Sequence, residues 1–278
     1  MKNPQKEKGS TGAEKKLSLP NVTLAAMTSV NIYETIRAME YSMRGIAFGD
    51  VVFITHRKPL SLPKNIRYSH TSKLDDIDKF NYKMVYELGE HIHTEYALIV
   101  HADGFVVHPE SWQDAFLDYD YIGSPWPLPQ NDYSYRDAKG EIVRVGNSVS
   151  IRSRRLMDFP AQAGLKWEKI EEEDEYNEDI FLCCKYRNVI EEAGMRFAPI
   201  EVAKYFGHEH MIPEIMDVEK PFLFHKWRGR NAQYPQFQNP WKSRWQKCKD
   251  LVRPLLFWRN SSARPNLSGK SGLHEFDR

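Results

Sequence analysis

The sequence has 278 residues, 41% of them hydrophobic, and a formal net charge of +1, which suits one large α/β domain or two small ones with a substantial core. A near-neutral chain lacks the global positive field that marks nucleic-acid binders, so we expect no nucleic-acid partner. Its three cysteines, with Cys183 next to Cys184, indicate neither a disulfide framework nor a cysteine-rich zinc site and favour a reducing, cytoplasmic setting. No signal-peptide run is visible, and no stretch approaches the ~18 apolar residues of a membrane-spanning helix.

The first hundred residues alternate apolar runs of strand length with helical periodicity. Residues 1–18 combine lysines with Gly and Ser and are predicted to be a disordered tail. Apolar runs predict strands at 22–27, 51–55, 66–69 and 96–100, and apolar spacing predicts helices within 32–43 and 80–92. Strands that alternate with helices in this way imply a parallel sheet.

After Asp103 the pattern changes, which predicts a mixed sheet or a second half of the fold. A short helix is expected around Trp112 to Phe116. Residues 142–152 predict a half-exposed strand, interrupted at Gly146 and Asn147 by a bulge or a close backbone approach. An acidic segment at 168–179 precedes a helix at 180–192, and no internal repeat is present.

The apolar run that ends the fourth strand stops at His101-Ala-Asp103-Gly104. A run without polar alternation suits a strand covered on both faces, and ligands of such sheets gather at the carboxyl ends of the strands. His101 and Asp103 are two residues apart and therefore share a face, while Gly104 permits close approach of a ligand or a turn. A strand that simply ends in an Asp-Gly turn explains this stretch equally well.

The adjacent carboxylates Glu178 and Asp179 follow Asn177, a good cap residue, in the first turn of the predicted helix. The helix dipole alone favours such acids by roughly 0.3–1 kcal/mol each, so capping is a sufficient explanation for the pair taken by itself. A carboxylate held there is also a suitable general base if a bound electrophile lies beside it.

Among the histidines, His225 is the most site-like, because it closes an apolar run as His101 does. His208 and His210 alternate around a glutamate and could ligate a metal from one strand face. Surface or hydrogen-bonded histidines explain that pair better, since no third ligand is nearby in the sequence.

The segment Asp120-Tyr-Ile-Gly-Ser-Pro-Trp126 joins a carboxylate to aromatic rings, as sugar recognition does, so Asp120 and Trp126 are candidate acceptor-binding residues. A packed turn with buried aromatics is an equal alternative. Arginines 152, 154 and 155 could meet phosphate, although solvated basic side chains are the commoner explanation.

In this order the segments resemble the metal-dependent GT-A class of nucleotide-sugar glycosyltransferases, in particular an uncharacterised bacterial and fungal family of proteins regarded as glycosyltransferases and associated with polysaccharide genes. The resemblance spans about residues 20–230. It is carried by Leu24-Ala-Ala-Met-Thr-Ser29, Asn81-Tyr-Lys83, His101-Ala-Asp-Gly104, Asp120-Tyr-Ile-Gly-Ser-Pro-Trp126, Val145-Gly-Asn-Ser-Val-Ser-Ile-Arg-Ser-Arg154, Asn177-Glu-Asp-Ile-Phe-Leu-Cys183 and His225.

This resemblance implies an α/β fold of GT-A-like (Rossmann-like) type, with a mixed, mainly parallel sheet flanked by helices. The fold is expected over 19–235, between the tail at 1–18 and a basic, aromatic, partly disordered extension at 236–278. It further implies a nucleotide-sugar donor and a glycan or lipid-linked saccharide acceptor.

The resemblance also implies roles for individual residues. Asp103 resembles the second aspartate of an Asp-x-Asp element that binds Mn²⁺ or Mg²⁺, His101 replaces the first, and His225 resembles the late histidine that completes the metal site. Asp179 resembles the base that deprotonates the acceptor hydroxyl, with Glu178 in support. Further donor-binding residues implied by position are Ser29, His56, Asn81, Lys83, Gly146 and Asn147.

The segment 241–259 holds six basic residues against one acid, together with Trp241, Trp245, Phe257 and Trp258. One hypothesis is contact with the inner face of a membrane, which would bring the enzyme to a lipid-linked acceptor. A helix that packs on the domain is the equal alternative.

Two other functions remain open from the sequence. A metal-dependent hydrolase could use His101, Asp103, His208, His210 and His225, and a glycan-binding domain could retain a transferase scaffold without activity.

Overall fold

Two β-sheets organise the computed structural model, which describes residues 16–130, 135–168 and 177–240. The strands are β1 (Leu17–Met27), β2 (Ile46–Thr55), β3 (Arg67–His70), β4 (Tyr96–Ile99), β5 (Gly104–Val106), β6 (Tyr121–Pro125), β7 (Val145–Ser153), β8 (Gly207–His208) and β9 (Leu223–His225). The α-helices are α1 (Ile32–Ser42), α2 (Ile77–Tyr86), α3 (Arg154–Gln162), α4 (Glu178–Ile180), α5 (Arg187–Glu192) and α6 (Ile200–Phe206). Short 3₁₀ turns lie at Leu88–His91, Pro109–Ser111, Asp114–Asp118, Pro213–Ile215 and Gly229–Gln233, and a π-helical turn at Phe181–Lys185.

The larger sheet has the strand order β3-β2-β1-β4-β7-β6. Strands β3, β2, β1 and β4 run parallel, while β7 is antiparallel to both of its neighbours. The predicted mixed, mainly parallel sheet flanked by helices is therefore confirmed. The carboxyl ends of β1, β2 and β4 meet at one edge of this sheet, where ligands of α/β proteins commonly bind.

Alternate residues of β1 enter two different cores. Leu24 and Ala26 belong to the core that also contains Ile36 and Met39 of α1, whereas Ala25 and Met27 belong to a second core with Met84 of α2. Both faces of the strand are covered, which explains its unbroken apolar run.

The smaller sheet has the order β5-β9-β8, and its strand β5 follows β4 in the chain. β9 pairs with β5 through Gly104 and His225, and with β8 through Gly207 and Leu223. These pairings bring the residues that follow β8 and β9 to the start of β5.

The structure corrects several predicted elements. The first strand begins at Leu17 rather than Val22. The strand expected at 142–152 is β7, and it is buried rather than half-exposed, because Val149 and Ile151 enter the first core and Arg152 pairs with the buried Glu178. The helix expected at 180–192 is divided by the π-helical turn.

Some expectations fall on residues that the structure does not describe. These are the tail up to residue 15, the acidic segment at 169–176 and the basic, aromatic segment at 241–259. Among the described residues, no helix combines the length and the apolar character needed to cross a bilayer. The described residues up to Phe237 form one compact unit, and 238–240 belong to a second unit.

Candidate functional site

A cavity of about 430 Å³ opens at the carboxyl ends of β1 and β4. His101 and Asp103 line the cavity after β4, and Ser29 lines it in the turn that follows β1. Its remaining lining is largely apolar, and Val30 and Ile77 are exposed at 64% and 52%. The other lining residues are Met27, Thr28, Asn31, Thr35, Leu74, Asp75, Asp76, Phe80, Val100 and Ala102. A cavity of this volume can hold a drug-sized or nucleoside-sized ligand.

Three potential metal ligands converge beside this cavity. One ligand atom each of His101, Asp103 and His225 lies within 4.8 Å of the others. The local backbone explains this, because His101 and Gly104 close a tight turn and Gly104 pairs with His225 across the small sheet. The Asp103 side chain is 41% exposed and can reach a ligand. Two imidazoles and a carboxylate suit a divalent transition-metal ion such as Mn²⁺, so the residues present fit a metal.

The close approach of His225 depends on Gly104. A β-carbon at position 104 would lie 2.6 Å from Val149 Cγ2 and 2.8 Å from His225 Cδ2. The glycine that the sequence marks as a point of close approach therefore admits two side chains of the protein itself.

The acidic pair lies on the same side as the three potential ligands. Glu178 is buried and accepts a hydrogen bond from Arg152 Nη2 at 3.0 Å, in an ion pair whose side chains are 1% and 2% exposed. Arg152 Nη1 is buried without a hydrogen-bond partner among the described residues. Glu178 and Arg152 both act electrostatically on His101, and Glu209 acts on Asp179. Glu178 is therefore close enough to His101, and Glu209 to Asp179, for their charges to interact.

Burial and the neighbouring Glu178 raise the pKa of Asp179 to about 7. Its Oδ1 accepts a hydrogen bond from the Ile180 amide at 2.9 Å, which opposes this rise without cancelling it. Burial and the neighbouring His225 lower the pKa of His101 to about 4, so His101 is a neutral potential ligand at pH 7. A carboxylate with a pKa near neutrality is well suited to exchange a proton with a substrate.

Two of the predicted donor-binding residues lie at strand ends near the cavity. Ser29 lines it, and its hydroxyl lies 3.0 Å from His56 Nδ1 and accepts a hydrogen bond from the Leu74 amide at 2.9 Å. His56 follows β2 directly and supports Ser29.

Asn81 and Lys83 lie on α2 but do not line the cavity. Asn81 is buried, and its amide donates to Asn177 Oδ1 at 3.5 Å, next to the acidic pair. The Lys83 ammonium forms an ion pair with Glu87, one helical turn further on.

Gly146 and Asn147 mark an irregularity in β7 beside the candidate site. A β-carbon at Gly146 would meet the ring of Trp126, at 2.0 Å from Cζ2. Trp126 is 3% exposed and packs on this glycine and on Tyr135, so its ring is covered by the protein. Asn147 adopts φ 113° and donates from Nδ2 to Glu209 Oε2 at 2.6 Å.

Asp120 lies at the opposite end of the strands. It precedes Tyr121, which pairs with Arg152, and the β7 residue after that, Ser153, pairs with Tyr96 at the start of β4. Its carboxylate accepts hydrogen bonds from Arg155, from Ser153 Oγ and from the Arg196 amide. The structure therefore does not bring Asp120 to the candidate site.

The His208-Glu209-His210 segment places its middle residue at the site. His208 Nε2 lies 2.8 Å from the Lys204 carbonyl oxygen, a hydrogen bond within the fold, and His210 Nε2 is 3.7 Å from Glu209 Oε2. Glu209 is 5% exposed, and its Oε1 lies 3.6 Å from His225 Nδ1. Although burial raises the pKa of Glu209, contacts with His225 and Lys226 lower it to about 2.

Glu209 is the residue of the site that sequence reasoning did not select, and Arg152, which the sequence suggested only as a possible phosphate contact, forms a buried ion pair with Glu178 instead. The available signals were an acid between two histidines and an arginine within an apolar strand, and both patterns have commoner structural explanations.

A family model described as "Protein of unknown function (DUF5672)" matches residues 65–225, more than half of the chain. No match was found among curated proteins.

Solved structures similar to the chain include TarS 1–349 from S. aureus (15% identity, TM-score 0.36, covering 57% of this chain and 52% of that one). They also include the apo-form glycosyltransferase GlyE from Streptococcus pneumoniae TIGR4 (12% identity, TM-score 0.40, 81% and 57%) and a second GlyE structure (8% identity, TM-score 0.39, 78% and 57%). The chain spans little more than half the length of these proteins. TM-scores of this size do not establish a common fold, so the fold is defined here by the strand order of the two sheets.

Proposed function

The chain belongs to the DUF5672 family of proteins of unknown function, and from its candidate site we propose that it is a glycosyltransferase of GT-A type. It transfers a sugar from a nucleotide-sugar donor to a glycan or a lipid-linked saccharide. The observation that carries this proposal is a set of three potential metal ligands, His101, Asp103 and His225, beside a nucleoside-sized cavity at the carboxyl edge of a mainly parallel sheet.

The cavity and the three potential ligands suit the two halves of a nucleoside diphosphate. The apolar walls at Leu74, Ile77 and Phe80 suit a planar base, and Ser29 offers a hydroxyl to the ribose. A divalent cation held by His101, Asp103 and His225 would neutralise the negative charge of the leaving diphosphate.

Asp179 is the general base of this proposal. Its carboxylate takes the proton of the attacking acceptor hydroxyl, and its pKa of about 7 leaves a substantial fraction ionised at neutral pH. Glu178 is a poor candidate for this general base, because Arg152 holds it in a buried ion pair. The anomeric carbon then passes through an oxocarbenium-like state, and inversion at that carbon requires no covalent intermediate.

The test is thermal stabilisation of the wild-type protein by nucleoside diphosphates and nucleotide sugars, with and without Mn²⁺. A ligand at 100 times its Kd stabilises the folded state by about 2.7 kcal/mol, which a melting curve resolves. We expect stabilisation by one nucleotide class that depends on Mn²⁺, its loss in Asp103→Asn, and its retention in the control Asp118→Asn, an exposed aspartate.

The other outcomes separate the rival functions. No nucleotide response, with turnover of phosphoesters that shows no nucleotide preference, would favour the hydrolase. The structure brings together three of the five residues which that reading requires, since His208 and His210 are absent from the described group that could hold a metal. Glycan binding that survives Asp179→Asn, with no donor hydrolysis by the wild type, would favour a glycan-binding domain.

Contact with a membrane remains a separate proposal that concerns the segment 241–259. Flotation with anionic liposomes tests it, by comparing the full chain with a chain that ends at Pro240. Equal binding of the two chains would contradict it.

A further inference from the structure

Glu209 reaches the candidate site through the pairing of the small sheet. Gly207 pairs with Leu223 and His208 pairs with Phe224 in parallel register. One residue further on, Glu209 therefore comes beside His225, although sixteen positions separate them in the sequence. The side chain is 6% exposed, so its carboxylate is held within the protein.

Two side chains hold the carboxylate in place. Asn147 Nδ2 donates to Oε2 at 2.6 Å, and Lys226 Nζ donates to Oε1 at 2.7 Å. Both residues have positive φ, 113° for Asn147 and 62° for Lys226. Such backbone conformations cost non-glycine residues roughly 1–3 kcal/mol and persist where the surroundings enforce them, often at functional sites.

The backbone around Glu209 is fixed by a buried asparagine. Asn231 is 1% exposed, and its Nδ2 donates to the carbonyls of His208 at 3.0 Å and Lys226 at 3.2 Å. The segments that carry Glu209 and His225 are thereby tied together.

The two ring nitrogens of His225 face different carboxylates. Nδ1 lies 3.6 Å from Glu209 Oε1, and Nε2 lies 3.8 Å from Asp103 Oδ1. Nδ1 is buried and has no hydrogen-bond partner among the described residues within normal bonding distance, and Glu209 Oε1 is the acceptor it faces. A neutral histidine carries its proton on one nitrogen only, and the group beside that nitrogen decides which.

We propose that Glu209 is a positioning residue that keeps the proton of His225 on Nδ1 and leaves Nε2 free for a divalent cation shared with His101 and Asp103. This inference rests on the metal-dependent transfer proposed above. A carboxylate behind a histidine ligand orients the ring and increases its basicity, and loss of such a partner typically weakens metal affinity about 10–100-fold.

The first test is the affinity of the purified full-length protein for Mn²⁺, measured by electron paramagnetic resonance in the wild type and in Glu209→Gln. Glutamine has a similar size but one carbonyl oxygen, so it cannot accept hydrogen bonds from Asn147, Lys226 and His225 as the carboxylate can. We expect about 10–100-fold weaker binding. Glu110→Gln is the matched control, because Glu110 contacts His108 Nδ1 at 3.1 Å outside the candidate site, and its affinity should equal that of the wild type. Equal affinity of Glu209→Gln and the wild type would overturn the proposal.

The second test needs no variant at position 209. Nitrogen-15 NMR of metal-free wild-type protein labelled at histidine, with His225→Gln to assign the signal, shows which ring nitrogen carries the proton. A proton on Nδ1 supports the proposal, and a proton on Nε2 overturns it. If Glu209→Gln does not fold, this spectrum of the wild type still tests the proposal. The spectrum also tests the proposal if the wild type binds no Mn²⁺. That outcome contradicts the metal dependence of the proposed function but not the role of Glu209 toward His225.

Discussion

Two aspartates that the sequence marks as candidate site residues have opposite surroundings. Asp120 receives donors from Arg155, Ser153 and the Arg196 backbone, whereas Asp179 receives the Ile180 amide and lies beside the acidic Glu178. Burial raises the pKa of Asp120, but these donors outweigh it and the pKa is lowered. For Asp179, burial and Glu178 act in the same direction.

The partners of a desolvated carboxylate, rather than its residue type, decide what it can do. A carboxylate whose lone pairs are filled by fixed donors stabilises the fold and is poorly able to take up a proton. A carboxylate that lacks such donors is costly to keep ionised, and it is available to a substrate.

The largest expected effect follows from Asp179→Asn. Removal of the base should lower the transfer rate by roughly 10²–10⁴, because the acceptor hydroxyl loses its proton acceptor. The measurement is single-turnover transfer with the donor found by thermal screening. The same isosteric change at Asp120 is the matched control and should leave the rate per folded molecule unchanged. A full rate in Asp179→Asn would remove Asp179 from the mechanism.

A smaller effect, a loss of Mn²⁺ affinity and of stability, is expected for Gly104→Ala. The added methyl group would lie 2.6 Å from Val149 Cγ2 and 2.8 Å from His225 Cδ2, so both side chains must shift. We expect weaker Mn²⁺ binding and a lower melting temperature, measured by electron paramagnetic resonance and calorimetry. Unchanged Mn²⁺ affinity would show that the position of His225 does not limit the metal site.

Asp120→Asn should act on stability. Replacing the carboxylate leaves the Ser153 hydroxyl or the Arg196 amide without its acceptor beside a buried side chain, at a cost of about 1–3 kcal/mol. The free energy of unfolding in urea measures this cost. Loss of transfer activity at unchanged stability would instead support the acceptor-binding role that the sequence suggests for Asp120.

The raised pKa of Asp179 makes both rate and stability depend on pH. The rate should rise with pH through about 7, as the carboxylate ionises. The folded pKa is above the unfolded value of 3.8, so the stability that protonated Asp179 provides is complete below pH 3.8 and is lost as pH rises through about 7. The melting temperature of Asp179→Asn should therefore be a few degrees above that of the wild type at pH 8 and equal to it at acidic pH. A difference in melting temperature that does not vary with pH would contradict the raised pKa.

The smallest effect is expected for Lys83→Met. Lys83 pairs with Glu87 and does not line the cavity, so nucleotide-dependent stabilisation should stay within about twofold of the wild-type affinity, far below the ~1.4 kcal/mol that a tenfold change represents. Titration of the melting shift against nucleotide concentration measures this. A large loss would restore Lys83 to the donor site that the resemblance implies.

Local sequence patterns determined much of this protein. The apolar runs located the parallel strands, and the break at His101-Ala-Asp103-Gly104 located the edge where the cavity lies. Both features depend on periodicity within a few neighbouring residues, because a strand covered on both faces needs an unbroken apolar run and a ligand needs polar groups at its end.

The tertiary structure decided which side chains meet. The pairing of β8 with β9 brought Glu209 to His225, Arg152 of β7 formed an ion pair with Glu178 of α4, and the hydrogen bonds of Asp120 hold it at the opposite end of the sheet. These outcomes depend on pairings between residues far apart in the chain. No local pattern encodes such contacts, since burial and the available partners, which set the charge and the role of a side chain, exist only once the strands have paired.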